Sequence, residues 1–303
     1  IQSLISERKA RRDVAAREIS ASWGSRQTLV GPIISVPYFA HAKDDKNNLI
    51  TTTKYAHFLP EDVQIKGSLQ PEIRYRGIYK VVVYNSLLSL SGNFDTLNMN
   101  ELNIADKDIL WKDAFLSLGI SDMKGIKEFI YVDWNGKKYK ANPGIESNDV
   151  IASGISVFPD IQPQAAKSAF SMEINLNGSD GLFFIPVGKE TKVELSSPWS
   201  NPSFTGSFLP NERQIDSDGF TAEWKVLHLN RNFPQQWKGA HHKIDHSFFG
   251  VKLRLAVDEY QKIMRTAKYA IMFITLTFLT FFMIELLGKK VIHPIQYILI
   301  GFA

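Results

Sequence analysis

Three stretches of the chain alternate apolar and polar residues with a period of two. Met172, Ile174 and Leu176 alternate with Glu173 and Asn175. Phe220, Ala222, Trp224 and Val226 alternate with Thr221, Glu223 and Lys225. Val251, Leu253, Leu255 and Val257 alternate with Lys252, Arg254 and Ala256. That period sets one face of a strand against a core and the other in water, the pattern of half-buried antiparallel sheet. Asn135-Gly136, between Tyr131–Trp134 and Lys137–Tyr139, predicts a tight hairpin, because both central positions tolerate positive φ. Asn177-Gly178 and Asp180-Gly181 mark another turn. A short helix is expected over 106–116. Many strands divided by turn residues, without alternating helices, predict a mainly β domain over 24–257: a large antiparallel β-sandwich rather than a parallel α/β sheet. Phe58-Leu59-Pro60 recurs as Phe208-Leu209-Pro210, a match too short to establish a repeat.

Helical periodicity appears at both ends. Residues 1–23 contain no Gly or Pro, and Ala15, Ala16, Ile19 and Trp23 recur at helical spacing before Gly24 stops the run. Residues 258–288 read as a juxtamembrane and transmembrane helix. Asp258 and Gln261 form a capping-box pattern, and Tyr260, Ile263, Met264 and Ala267 share one face. From Tyr269 to Ile284 there is no charge, Gly or Pro. These sixteen residues span about 24 Å as a helix, and 285–288 extend it to about 30 Å, the thickness of a bilayer's hydrocarbon core. A buried core helix is the alternative, but such helices rarely carry apolar residues on every face. Thr275, Thr277 and Thr280 can return their hydroxyls to carbonyls one turn earlier.

Residues 289–294 then read as a short cytoplasmic loop and 295–303 as the start of a further span. Lys289 and Lys290 favour the cytoplasmic side for that loop. Lys262, Arg265 and Lys268 at the other end weaken the bias, and the cluster Arg8, Lys9, Arg11, Arg12 opposes it. The chain opens on Ile1 and closes within an apolar run, so it is expected to be an internal piece of a longer protein that lacks a first span and later ones.

Composition narrows the function classes. With 44% hydrophobic and 22% charged residues the chain is globular, not disordered or fibrous. A net charge of +4 and one short basic run argue against a nucleic-acid binder. The absence of cysteine removes disulfides, thiolate metal sites and cysteine nucleophiles together.

No nucleophile elbow, phosphate loop or zinc-protease motif is present, so no catalytic residue, metal site or cofactor is assigned. His241-His242-x-x-Asp245-His246 offers imidazoles one helical turn apart, but its Lys and Gly neighbours read as a solvated linker. Asp216, Asp218 and Glu223 are the available acid group for glycoside chemistry, an ordinary coincidence in a chain with 31 acids. Glu285 is the one intramembrane polar candidate; the alternative is an interfacial carboxylate paired with Lys289 one turn on. Trp199, Ser203, Phe204, Arg231 and Asn232 lie in Pro- and aromatic-rich stretches that either line a binding groove or close corners of the sandwich.

These last stretches carry a family resemblance. Trp199-Ser200-Asn201-Pro202-Ser203-Phe204-Thr205-Gly206 running into Phe208-Leu209-Pro210 resembles the CreD family of inner-membrane proteins. So do Gly219-Phe220-x-Ala222-x-Trp224, Leu229-Asn230-Arg231-Asn232-Phe233-Pro234, and Trp23-Gly24-x-x-Gln27 with Gly31-Pro32. Gly77-Ile78-Tyr79, Val83-Tyr84, Gly119-Ile120-Ser121-Asp122, Asp258-x-Tyr260, Lys268-Tyr269-Ala270 through Glu285, and His293-Pro294-x-Gln296-Tyr297 complete the pattern along the whole chain. The resemblance implies an N-terminal span, a large periplasmic domain and several C-terminal spans. It further implies a place in the cell inner membrane and a non-enzymatic role in envelope integrity or envelope-stress response. The partners implied are the lipid bilayer and envelope proteins or peptidoglycan. Two other readings remain open: a periplasmic carbohydrate- or peptidoglycan-active enzyme, for which a convergent acid pair in a cleft would speak, and a ligand-binding sensor, for which a pocket would speak.

Overall fold

A computed structural model of the chain describes residues 2–43, 47–162, 167–255, 259–288, 293 and 295–296. It divides into two compact units, 15–254 and the combination of 1–14 with 255–303.

Unit 15–254 is built on strands, in chain order β1 Gln27–Lys43, β2 Leu49–Phe58, β3 Asp62–Arg76, β4 Tyr79–Asp95, β5 Phe115–Ile120, β6 Tyr131–Trp134, β7 Lys137–Lys140, β8 Asn142–Pro143, β9 Gly154–Val157, β10 Lys167–Ser179, β11 Gly181–Ile185, β12 Glu190–Ser197, β13 Pro202–Gly206, β14 Glu212–Asp216, β15 Gly219–Leu227, β16 Gln236–Lys238 and β17 Phe249–Leu253. One sheet runs β13-β17-β11-β1-β5-β9-β8, with β2 also on β1 and β16 on β2. The other runs β14-β15-β12-β3-β4-β10-β6-β7. The mainly β class holds, but the sheets are mixed rather than purely antiparallel. β1 pairs parallel with β11, and β3 parallel with β12. Each parallel pair joins strands far apart in sequence, a connection no hairpin can make. Each one stitches strands before Asp180 to strands after it.

The first two period-two runs and the start of the third behave as expected; β17 ends at Leu253, Leu255 lies half-buried beyond it, and Val257 is outside the described residues. Met172, Ile174 and Leu176 of β10 are buried, as are Phe220, Ala222, Trp224 and Val226 of β15 and Val251 and Leu253 of β17. The sheets meet through rings: Phe204 of β13 stands edge-on to Phe220 and Trp224 of the other sheet, and Trp224 lies 5.8 Å from Phe249. Asn135 and Gly136 turn the β6–β7 hairpin with φ of 51° and 83°, and Asp133 accepts from the Gly136 N–H. Two expectations change. Asn177 and Gly178 continue β10; Asp180 alone, at φ 64°, carries the chain from one sheet to the other. The helix expected over 106–116 is two 3-10 turns, Asp106–Asp108 and Trp111–Asp113, followed by β5. Pro37 O takes the Leu110 N–H and Ile109 bridges to Tyr38, so this apolar stretch is held against β1 instead of winding on itself.

Helix α1, Gln2–Trp23, ends where Gly24 adopts φ 134° and donates to Ser20 O. Its last turns rest on the β3–β4 ribbon: Trp23 Nε1 donates to Tyr84 O at 3.2 Å, Arg74 lies over the Trp23 ring, and Arg76 pairs with Glu18. The chain next enters β1 at Gln27, which has no exposed surface. Its Nε2 donates to Asp122 O at 2.9 Å and Asn177 O at 3.0 Å. Its Oε1 accepts from Asp122 N at 3.2 Å, while the one Ser121 hydroxyl proton lies nearer Arg26 O, at 2.9 Å, than Oε1, at 3.3 Å. Asp122 in turn accepts from both the N–H and hydroxyl of Ser25 and from Lys124 N. Burial alone would raise the Asp122 carboxyl, but these donors outweigh it and hold the group below its ordinary range.

The other unit holds residues 2–14 of α1 and helix α2, Glu259–Gly288. Thirty residues make α2 about 45 Å long. Counted on described side chains, no helix is long and apolar enough to cross a membrane; those of 259–265, 267, 268 and 271 fall outside that description. Thr277 and Thr280 return their hydroxyls to Phe273 O and Leu276 O, both at 2.8 Å, as the sequence predicts. The Asp258 cap, the Lys289-Lys290 loop and most of 295–303 lie outside the described residues.

Replacing Gln27 by Leu strands the Asp122 N–H and the part-buried carbonyls of Asp122 and Asn177. At roughly 1–3 kcal/mol for each buried orphan that water cannot reach, the variant is expected to lose several kcal/mol of stability, read as a lower denaturation midpoint. An unchanged midpoint would show that the amide's bonds are replaceable.

Candidate functional cleft

The second half of β2 reads Tyr55-Ala56-His57-Phe58, a histidine inside an apolar run. Its neighbours in the sheet are β1 on one side and β16 on the other. The register sets His57 directly opposite Ser35 of β1 and opposite Trp237 of β16. Cross-strand partners lie close enough to interact directly. Ser35 Oγ is 2.9 Å from His57 Nδ1, and the Trp237 ring is 5.7 Å from the imidazole. His57 Nε2 reaches Asp149 Oδ2 at 3.3 Å, from the segment between β8 and β9. Burial lowers the His57 imidazolium constant below its ordinary value, and the hydrogen bond and charge of Asp149 offset only part of that. The ring is therefore neutral at neutral pH. A neutral ring facing a carboxylate keeps its proton on Nε2, so Nε2 donates to Asp149 and Nδ1 accepts from the Ser35 hydroxyl.

This Ser–His–Asp chain ends in a cleft of about 1000 Å³. Asp149 lines the cleft; Ser35 and His57, 3% and 1% exposed, do not. A second pair repeats the arrangement: His41, opposite Thr51 in the β1–β2 register, accepts or donates at Thr51 Oγ1 through Nδ1 and bonds Asp108 Oδ1 through Nε2 at 3.1 Å. Tyr38, Phe39, Tyr55 and Trp237 give the cleft its rings, and Lys54 and Lys238 its cations. His242 stacks edge-on against Trp237 at 5.4 Å, and His241 is exposed beside it. Asp245 and His246 sit in the next 3-10 turn. Among the described residues no group of three or more His, Asp or Glu is gathered to hold a metal ion.

The residues singled out from the sequence go to separate places. Trp199 Nε1 donates to Arg254 O, Ser203 lies opposite Lys252 in the β13–β17 pair, and Phe204 belongs to the ring cluster between the sheets. Arg231 is 8% exposed and donates to Phe233 O and Val187 O and to the Gln235 side chain, with its guanidinium over the Phe233 ring. Burial lowers its constant to about 10. Asn232 beside it is exposed. Asp216, Asp218 and Glu223 lie exposed on the β14–β15 hairpin, with Asp216 held by Gln214. Glu285 is half-buried on α2, and Lys289 lies outside the described residues. The cleft itself was missed. Its one local signal is His57 within an apolar strand; Ser35 and Asp149 are 114 residues apart, counted as 149 minus 35, and only the fold joins them.

The family model described as "Inner membrane protein CreD" matches residues 1–303. The chain belongs to the CreD family. The relative named "Inner membrane protein CreD" from Escherichia coli (strain K12) is 31% identical over 308 residues, covering 99% of this chain and 68% of the relative. Three of the segments that carry the CreD resemblance meet in space. Trp23-Gly24-x-x-Gln27 and Gly119-Ile120-Ser121-Asp122 are joined through the Gln27 amide, and Val83-Tyr84 receives Trp23.

Since the His57 constant is lowered, the unfolded chain binds the proton more readily than the folded one. The stability this buried ring contributes is complete above the ordinary imidazole value near 6.5 and falls away as pH drops below it. Thermal melts of the chain are expected to shift down between about pH 7 and 5, and His57→Gln to flatten that slope. Equal slopes in both proteins would place the acid sensitivity elsewhere.

Proposed function

We propose that this chain is the extramembrane β domain and membrane helix of an envelope protein, that it works at the inner membrane without catalysis, and that it supports envelope integrity. One observation carries the reading. Met272, Phe273, Ile274 and Phe282 of α2 are 54%, 60%, 46% and 54% exposed. At about 100° per residue they point in four directions around the helix, near 0°, 100°, 200° and 280°. An apolar surface on every side has no dry partner in an aqueous fold, and hydrocarbon supplies one. The charge-free run reaches about 24 Å, so the span must include 285–288 to match about 30 Å of hydrocarbon. Glu285 then falls near the headgroups, where it can pair with Lys289. The mainly β domain lies on the periplasmic side in this reading, since long domains cross largely regardless of charge.

The non-catalytic part rests on the buried end of the Ser35–His57–Asp149 chain, whose serine is sealed inside the sheet. The cleft favours a second, compatible reading, in which the domain senses a ligand; its volume and mixed apolar and polar walls suit one.

The absence of cysteine makes topology directly measurable. Lys137→Cys is expected to react with an impermeant thiol reagent in intact cells and Lys290→Cys only after lysis; the reverse pattern would sink the proposed orientation. Glu285→Gln and Glu285→Leu are expected to insert and to survive envelope stress normally, since an interfacial pair contributes only about 0–1 kcal/mol. Normal insertion with lost survival in both would make Glu285 a functional acid inside the membrane.

A further inference from the structure

The cleft's ligand class follows from what its walls present. Its formal charges cancel, Asp108 and Asp149 against Lys54 and Lys238, so a strongly charged ligand gains nothing net. Each carboxylate is held by a histidine through one oxygen, His41 to Asp108 Oδ1 and His57 to Asp149 Oδ2. Among the described residues the second oxygen of each, Asp108 Oδ2 and Asp149 Oδ1, takes no protein partner. A carboxylate oxygen has two acceptor sites, so each of these two lining residues keeps a fixed oxygen free to accept. Burial first, and Asp149 second, push the Tyr38 phenol above its ordinary range, so it stays protonated and adds a donor. Phe39, 39% exposed, and half-buried Tyr55 offer ring surface between these polar groups.

We propose that this cleft binds a neutral oligosaccharide. Sugar hydroxyls donate to Asp108 Oδ2 and Asp149 Oδ1 and accept from Tyr38 and the lysines, while the C–H faces of the rings lie on Phe39 and Tyr55. Fixed acceptors suit hydroxyls because an ordered carboxylate loses no side-chain freedom on binding. A volume of about 1000 Å³ is at the upper end for ligand pockets and exceeds the need of one sugar ring. Histidines hold both carboxylates in place: His57, buried behind the wall, positions Asp149 without touching the sugar, and His41, exposed on the wall itself, positions Asp108.

This inference gives the sensor reading its ligand class and rests on it. The full chain in nanodiscs is titrated calorimetrically with three neutral hexasaccharides, of β-1,4-glucose, β-1,4-N-acetylglucosamine and α-1,4-glucose. At least one is expected to bind, and Asp149→Asn and Asp108→Asn each to weaken it by about tenfold or more, against no change in Tyr75→Ala on the exposed β3–β4 ribbon. His57→Gln, which keeps a donor but loosens the carboxylate, is expected to weaken binding less than Asp149→Asn. Melting curves confirm that each variant is folded. No binding by any of the three up to about 10 mM, or binding that survives both Asp variants, overturns the proposal. Topology labelling of Lys137→Cys and Lys290→Cys is independent of sugar, so a failed titration leaves the membrane reading standing and a reversed label leaves the cleft standing.

Discussion

Gln27 has no contact with water, yet its amide uses both of its donors and accepts from the Asp122 N–H. It stands where three pieces of chain meet: the entry to β1, the turn after β5 at Ser121 and Asp122, and the end of β10 at Asn177. β1 belongs to one sheet and β10 to the other. A single side chain therefore fixes how the two layers register at that end. The space around it is equally constrained. A Cβ at Gly125 would run into Asn177 O and the Gln27 amide, and one at Gly178 into the Tyr84 ring. Tyr84 completes the closure, donating from its buried hydroxyl to Gly181 O at the first residue of β11. Hydrophobic burial drives the layers together but does not choose their register, since apolar contacts have no direction. The polar knot does, because any slip leaves buried donors and acceptors without partners.

The same closure explains the parallel pairs. Once β10 passes Asn177 and Gly178 beside Gln27 and ends at Ser179, Asp180 must deliver the chain into the opposite sheet next to β1. β11 then runs alongside β1 in the same direction, Gln27 opposite Leu182 through Val30 opposite Ile185. β12 returns to the other sheet and lies parallel to β3, Glu190 opposite Asp62 through Ser196 opposite Ser68. The later strands thus extend both layers at once, and the core between them gains Trp224, Phe249 and Phe204 without a separate domain.

Periodicity exposed the strands but not their partners. The runs at 172–176, 220–226 and 251–253 were legible because each has one wet face and one dry face. The Asn135-Gly136 hairpin was legible because its chemistry is local. The parallel pairs were not, since direction depends on connections that cross between layers. The stretch 106–116 misled because its apolar residues at 109, 110 and 114–116 fit a helix as well as a strand, and contact with Pro37 and Tyr38 decided the matter. Arg231 drew notice as an arginine among aromatics, and the fold uses its donors on carbonyls at a corner of the sandwich. The cleft stayed hidden because its two carboxylates come from irregular segments whose place is set only when the sheet edge forms.

The Ser35–His57–Asp149 chain shows that a constellation's chemistry depends on which end is open. Its proton order is the one that activates a serine: hydroxyl to imidazole, imidazole to carboxylate. A nucleophile must be reached by its substrate, and here the hydroxyl is buried in a strand while the carboxylate lines a cavity. Turned this way, the serine and histidine no longer activate anything; they hold an acceptor still. Neutrality of the buried ring is required for that role, because an imidazolium would have to leave the sheet or draw the carboxylate inward to be stabilised. Low dielectric around His57 keeps the ring uncharged, so that it holds Asp149 through a hydrogen bond from inside the sheet.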